Sequence, residues 1–186
     1  HKESVLLELL KHRTGLVPEK VVKPVFGGAW GYRRRARLSA RSVDAKGGVI
    51  LGFRERNGRY VTDCDHCDVL DYRVGGQLVQ IREALRHLSI ASSIPQIEVA
   101  ASDASVVLVL RHLKPLSTSD MMVLTTLQSN TGLAIYLQSD GLESVRPLTG
   151  LPTKLSYNVG ASEIAFLPSE FTQINHEVNQ RMILEV

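Results

Sequence analysis

Residues Gly31-Tyr32-Arg33-Arg34-Arg35-Ala36-Arg37-Leu38-Ser39 place four arginines in five positions, with apolar side chains threaded among them. On an extended strand successive side chains alternate faces. Arg33, Arg35, Arg37 and Ser39 then share one face, while Tyr32, Ala36 and Leu38 share the other, with Arg34 the intruder among them. One face joins a core and the other carries guanidinium groups about 6.8 Å apart, twice the strand rise. That spacing resembles the separation of consecutive phosphates on a nucleic-acid strand, which points to polyanion binding. A solvated edge strand whose arginines pair with nearby carboxylates accounts for the same residues.

The rest of the chain frames this strand. Its 186 residues suffice for one domain with a real core, and 44% hydrophobic and 22% charged residues are ordinary for a globular protein. The net charge of +3 is modest, so the basicity is local and concentrated in the first 60 or so residues. No apolar run approaches the roughly 18 residues of a membrane span, and no signal-peptide pattern opens the chain. Two cysteines are too few for a disulfide framework, so a reducing, cytoplasmic setting is expected, with no membrane association and no obligate protein partner. The chain opens at His1 inside one helical pattern and stops at Val186 inside another, from which a piece of a longer protein is expected.

Residues 1–14 carry Val5, Leu6, Leu9 and Leu10 at helical spacing, and Gly15 and Pro18 stop the helix. Lys46-Gly47-Gly48 is a turn, so 31–43 and 49–55 form a hairpin with Val49, Leu51 and Phe53 on one face. Arg54 and Arg56 extend the positive charge on the other side. Asn57-Gly58 is a second turn, leading into Tyr60-Val61-Thr62. The spacing of Leu78, Ile81, Leu85 and Leu88 predicts a helix over 77–88, with Arg82, Glu83 and Arg86 outward. Strands at 96–101 and 105–111 precede a helix that Ser117 caps, with Asp120 in its first turn, reaching about Ser129. Short strands near 133–138, 142–146, 153–157 and 162–166 follow, and the tail from Asn175 to Val186 is helical. Strands pairing locally, with helices between groups of them, predict an α+β fold with a largely antiparallel sheet.

Few residues suggest chemistry by themselves. Cys64-x-x-Cys67 admits a redox dithiol, half a zinc site, or two ordinary cysteines at a turn. Asp63, Asp65 and Asp68 around the pair would raise a thiol pKa, against the redox reading. Six scattered histidines lack metal-ligand spacing, no phosphate-binding or nucleophile-elbow glycine motif occurs, and Gly27-Gly28 and Gly75-Gly76 read as turns. In Phe171-Thr172-Gln173-Ile174-Asn175 the polar residues alternate with apolar ones. Gln173 and Asn175 therefore either point together into a cleft or belong to an edge strand with Asn175 as a helix N-cap. No self-contained active site is present.

The blocks Trp30–Ser39, Leu51–Arg54, Cys67–Leu70, Arg111-His112 with Pro115–Ser117, and Phe171–Asn175 occur in an order that closely resembles the bacterial 23S rRNA uracil-5-methyltransferases of the RlmD (RumA) type. The resemblance implies a fragment whose residues 1–167 are the central, RNA-contacting α+β domain and whose residues 168–186 begin a methyltransferase domain that binds S-adenosylmethionine. In such enzymes a cysteine thiolate adds to C6 of a flipped-out uracil and C5 takes the methyl group. The catalytic cysteine lies in the part with no counterpart here, so this fragment is expected to be inactive. By the same resemblance Cys67, with Asp68 where proline is usual, matches the fourth cysteine of a four-iron, four-sulfur cluster, while Cys64 matches nothing. Gln173 matches the residue contacting S-adenosylmethionine, with Phe171 beside it, and Arg33, Arg35, Arg37 and Arg54 are the implied contacts to 23S rRNA. Neither cofactor is expected on the fragment itself. A tRNA-directed relative and a stand-alone RNA-binding module are the alternatives.

Overall fold

Nine strands and five α-helices make up the fold in the computed structural model, which describes residues 1–185 with the side chain of Lys46 excepted. The tail helix expected to reach Val186 thus has its last residue outside the described residues. Helix α1 covers Lys2–Thr14, and strands β1 (Arg35–Val43), β2 (Gly48–Arg54) and β3 (Val61–Asp63) form a meander. Two helices follow, α2 (Tyr72–Gly75) and α3 (Leu78–Arg86), then β4 (Gln96–Ala101), β5 (Val106–Arg111), α4 (Thr118–Thr131), β6 (Ala134–Gln138) and β7 (Arg146–Pro147). The hairpin β8 (Ser156–Val159) and β9 (Ser162–Ala165) and helix α5 (His176–Leu184) complete the order. Seven strands form one sheet in the order β3-β2-β1-β4-β5-β6-β7, antiparallel except where α4 crosses over to lay β6 parallel to β5. This is the α+β class that the local pattern predicts.

The hairpin of β1 and β2 turns through one 3-10 turn at Asp44–Lys46, and Gly47 takes φ +73, a left-handed value that a side chain would strain. Its register, Ser39 opposite Gly52 and Val43 opposite Gly48, sends Leu38, Ala40, Val49 and Leu51 to one face. That face meets Ile97 and Val99 of β4, Leu108 and Leu110 of β5, and Ile135 and Leu137 of β6. It is covered by Leu78, Ile81 and Leu85 of α3 and by Leu124 and Leu127 of α4. Each such leucine or isoleucine, fully buried, contributes about 1.5–3 kcal/mol. The opposite face is only half covered. Leu155 and Phe166, flanking the β8–β9 hairpin, pack on Ala100, Val107, Val109 and Tyr136, and the β1–β2 end of that face is left to the arginines.

Four expectations need correction. The strand begins at Arg35 rather than Gly31, because residues 31–34 pair with two remote segments instead of with β2. Arg82 is buried rather than outward: its guanidinium lies between Asp63 (2.9 Å) and Asp65 (2.6 Å), which neutralise it. Residues 142–144 form a 3-10 turn and only Arg146–Pro147 pair as a strand. Gly75 is helical, and a Cβ there would lie 2.2 Å from the Cys67 carbonyl oxygen, so close approach rather than turn geometry requires glycine. Helix α1 forms and ends at Gly15 as expected, yet none of its residues is buried, and Val5, Leu6 and Leu9 stand exposed.

Candidate nucleic-acid interface

The arginine block is a junction before it is a surface. The Gly31 amide donates to the Asp68 carbonyl (2.7 Å) and the Arg33 amide to that of Val69 (3.0 Å), while Asp71 N donates back to the Arg33 carbonyl. On the other side the Arg34 amide donates to the Ile174 carbonyl (3.0 Å), and Ala101 N donates to the Arg34 carbonyl. Residues 31–34 therefore lie between the segment following Cys67 and the segment containing Gln173. Gly31 allows this entry with φ +63, where any Cβ would also meet the Tyr72 ring.

From Arg35 onward the alternation is the expected one. Arg35, Arg37 and Arg41 project from β1 away from the core that Leu38 and Ala40 enter, on the same sheet face as Arg54 of β2. Following the register two residues past Ser39–Gly52 sets Arg37 beside Arg54. Carboxylates answer much of this charge. Arg37 Nε and Nη2 donate to Glu98 Oε1 at 3.1 and 2.8 Å, and Glu98 stands directly opposite on β4. Arg35 is half-buried. It donates to the Pro168 carbonyl (2.6 Å), reaches Glu98 at 4.0 Å, and burial lowers its pKa against the pull of Glu98. Arg34, the intruder, is tied to Asp103. The carboxylate-paired reading is thus realised, but on an interior strand of the sheet rather than at its edge. Arg37 and Arg54 remain exposed.

Arg33 shares a cleft of about 330 Å³ with Tyr32, Phe171, Gln173, Asn175 and Met182. The structure thus brings one predicted RNA contact beside both residues assigned to S-adenosylmethionine. Phe171 is 79% exposed and Gln173 is exposed, so both offer free surface to a ligand or to further protein. Asn175 caps α5 by accepting from the Val178 amide at 3.0 Å, and it also lines the cleft, so its two readings coexist. Below it, burial and Arg34 lower the pKa of His176, while Asp103 opposes them. Asp103 and His176 escaped the sequence reading because only the tertiary fold sets them against Arg34; no local pattern marks either.

Cys67 is half-buried against the core, its amide donating to the Gly75 carbonyl. Both cysteines are free thiols. Burial raises the Cys64 pKa, with Cys67, Asp63 and Asp65 adding to it, the opposite of a redox-active first thiol. Among the described residues no three histidine, cysteine, aspartate or glutamate side chains lie together as a metal site. The donor set of this chain alone therefore does not fit a four-iron cluster, which takes four thiolates. No helix among the described residues is long and apolar enough to cross a membrane.

This sheet and its helices are a fold also found in an RNA-modifying enzyme. The solved Pyrococcus abyssi tRNA (uracil-54, C5)-methyltransferase, in complex with S-adenosyl-L-homocysteine, superposes with a TM-score of 0.64. The match covers 96% of this chain and 45% of that one, at 16% identity. Sequence narrows the class. The 23S rRNA (uracil(1939)-C(5))-methyltransferase RlmD of Alkalilimnicola ehrlichii is 41% identical over 98% of this chain, and that of Hahella chejuensis 42% identical over 100%. The RlmD of Ralstonia nicotianae is 41% identical over 96%. The chain is similar to these RlmD proteins along nearly its whole length, and it spans about two fifths of theirs. No family model matches it.

Proposed function

We propose that this chain is the central, RNA-gripping part of an enzyme that transfers a methyl group from S-adenosylmethionine to C5 of a uridine in 23S rRNA. The observation that carries the reading is the identity of about 40% with RlmD proteins through nearly every residue of the chain. Residues 1–167 form the central domain and 168–186 the start of the methyltransferase part. S-adenosylmethionine supplies an electrophilic methyl group. Gln173 would hold it by side-chain hydrogen bonds and Phe171 by apolar contact, while Arg33, Arg37 and Arg54 hold the RNA phosphates and Arg35 braces the same face through Pro168. Cys67 is the one thiolate this segment would contribute to an iron–sulfur cluster completed by cysteines elsewhere in a longer protein. No residue here supplies the nucleophile, so the segment alone does not methylate, and its setting is the cytoplasm.

The test uses the full-length protein that contains this segment, with labelled S-adenosylmethionine and unmodified 23S rRNA. Label is expected at C5 of one uridine. Arg37→Ala should raise the KM for RNA more than it lowers kcat, because a phosphate contact holds ground state and transition state alike. Transfer to tRNA in preference to rRNA, or none to either, would overturn the reading.

A further inference from the structure

Most of the charge in the arginine block is matched inside the fold, by Asp103 for Arg34 and by Glu98 for Arg35 and Arg37. The β2–β3 turn differs. Arg54 ends β2, Arg56-Asn57-Gly58-Arg59 make the turn, and Tyr60 leads into β3. The Glu55 amide donates to the Tyr60 carbonyl (3.1 Å) and the Gly58 amide to the Glu55 carbonyl (3.3 Å). Arg56 is a central residue of the Glu55–Gly58 turn and Arg59 follows it directly, so the two arginines stand on either side of Asn57-Gly58. Arg41 of β1 joins them, its Nη1 donating to the Arg59 carbonyl at 3.2 Å. All four arginines are exposed. Among the described residues none of the four makes an ion pair, and Glu55 is the turn's one carboxylate. Beside them the Tyr60 ring is 58% exposed, with the Arg59 guanidinium 5.7 Å from its centroid.

Uncompensated guanidinium groups and an exposed aromatic face make a matched pair of features. Guanidinium forks bind phosphate oxygens, and an exposed ring accepts an unstacked base. A duplex keeps its bases stacked and has no use for the ring, whereas a single-stranded loop does. We propose that Arg41, Arg54, Arg56, Arg59 and Tyr60 form a docking surface for a single-stranded RNA loop, separate from the cleft at Arg33. Phosphates meet the arginines and one base lies on Tyr60. This rests on the reading of the chain as an RNA-binding segment and adds to it a second point of contact.

The test is fluorescence anisotropy of the chain with a labelled single-stranded oligoribonucleotide across a salt series. The doubly substituted Arg56→Ala/Arg59→Ala variant should reduce the magnitude of the log–log salt slope by about 1.4, two phosphates at about 0.7 each. Tyr60→Ala should weaken binding roughly 5- to 100-fold with the slope unchanged, and Tyr60→Phe should bind as the parent does. If Arg37→Ala weakens binding while the turn variants do not, the turn surface is refuted and the RNA reading stands. If the parent chain binds no RNA at low salt, both fall. Equal binding of duplex with no effect of Tyr60→Ala removes the base contact and overturns the proposal as stated. Competition by polyglutamate as effective as by RNA reassigns the surface to an acidic protein. Urea midpoints of each variant, expected within a few tenths of a molar of the parent, separate contact loss from unfolding.

Discussion

Asp120 offers the sharpest quantitative test of the fold that carries these surfaces. It is 1% exposed, and its carboxylate accepts from the Ser117 amide (2.8 Å), the Ser117 hydroxyl (2.7 Å), the Ser89 amide (2.6 Å) and the Ser89 hydroxyl (2.7 Å). It thus closes the capping box of α4 and ties that helix to the chain leaving α3. Burial favours the neutral acid, but the donors from Ser117 and Ser89 outweigh it and lower the pKa from 3.8 to about 2. At 1.36 kcal/mol per pKa unit this favours the fold by about 2 kcal/mol at neutral pH. The folded pKa lies below the unfolded one. The contribution is therefore complete above the unfolded value and is lost as the pH falls from about 4 toward 2, with roughly half remaining at pH 3. Asp120→Asn should accordingly cost about 2–3 kcal/mol in urea titrations at pH 7, somewhat more than the linkage value because its amide NH2 faces donors. The gap between parent and variant should narrow by about 1 kcal/mol at pH 3. A gap of the same size at both pH values would show that packing, and not the ionised acceptor, holds the cap.

Two further perturbations probe the polar ties around the arginine block. Arg82→Met should destabilise by about 2 kcal/mol, below the 3–5 typical of breaking a fully buried pair, because Asp63 and Asp65 keep 29% and 77% of their side chains exposed and can rehydrate; Asp65→Ala should cost under about 1 kcal/mol, and equal losses in urea midpoints would refute this ranking. Gly31→Ala should cost about 1–2 kcal/mol from its φ of +63, since the Tyr72 ring it would meet is 66% exposed and free to swing aside. Hydrogen exchange at the Arg33 and Arg34 amides should quicken together, and a Tyr72→Ala background that abolished the loss would show that the clash, not the backbone, was responsible.

The legible parts of the fold are those with a local cause. Gly47-Gly48 sets the first hairpin, Ser117 and Asp120 start α4, and the alternation of Leu38 and Ala40 against Arg35, Arg37 and Arg41 gives the two faces of β1. The illegible parts have causes far away in the chain. Nothing near Gly31 announces that its amide will pair with Asp68 while that of Arg34 pairs with Ile174, so the strand is read four residues too long. Arg82 follows a helical pattern that marks it as outward, and only the arrival of Asp63 and Asp65 from β3 and the loop after it makes burial tolerable. The parallel step from β5 to β6 follows from α4 crossing over, a topological fact that period and propensity do not encode. For the candidate site the same division holds. The face of the arginines is a matter of parity, but which of them stay unpaired depends on Glu98 and Asp103, brought in from β4 and the turn after it.

That division bears on how charge and rigidity are shared along the block. Backbone hydrogen bonds to segments about 35 and 140 residues away lock residues 31–34, so an arginine side chain leaving this junction starts from a fixed origin. Arg34 uses its charge on Asp103 to hold the junction, and Arg35 uses its own on Pro168 and Glu98. Arg33 sends its side chain to the cleft shared with Phe171 and Gln173. At the β2–β3 turn the balance reverses, with exposed, uncompensated arginines on a short hairpin tip that has no such bracing. A rigid, internally matched block suits placement of a bound strand at one defined position, while the open charge of the turn suits capture, since unpaired cations raise encounter rates with polyanions and lose that advantage steeply with salt. The two ends of the sheet face thus differ in how their charge is held, matched and braced at residues 34–37 and open at the β2–β3 turn.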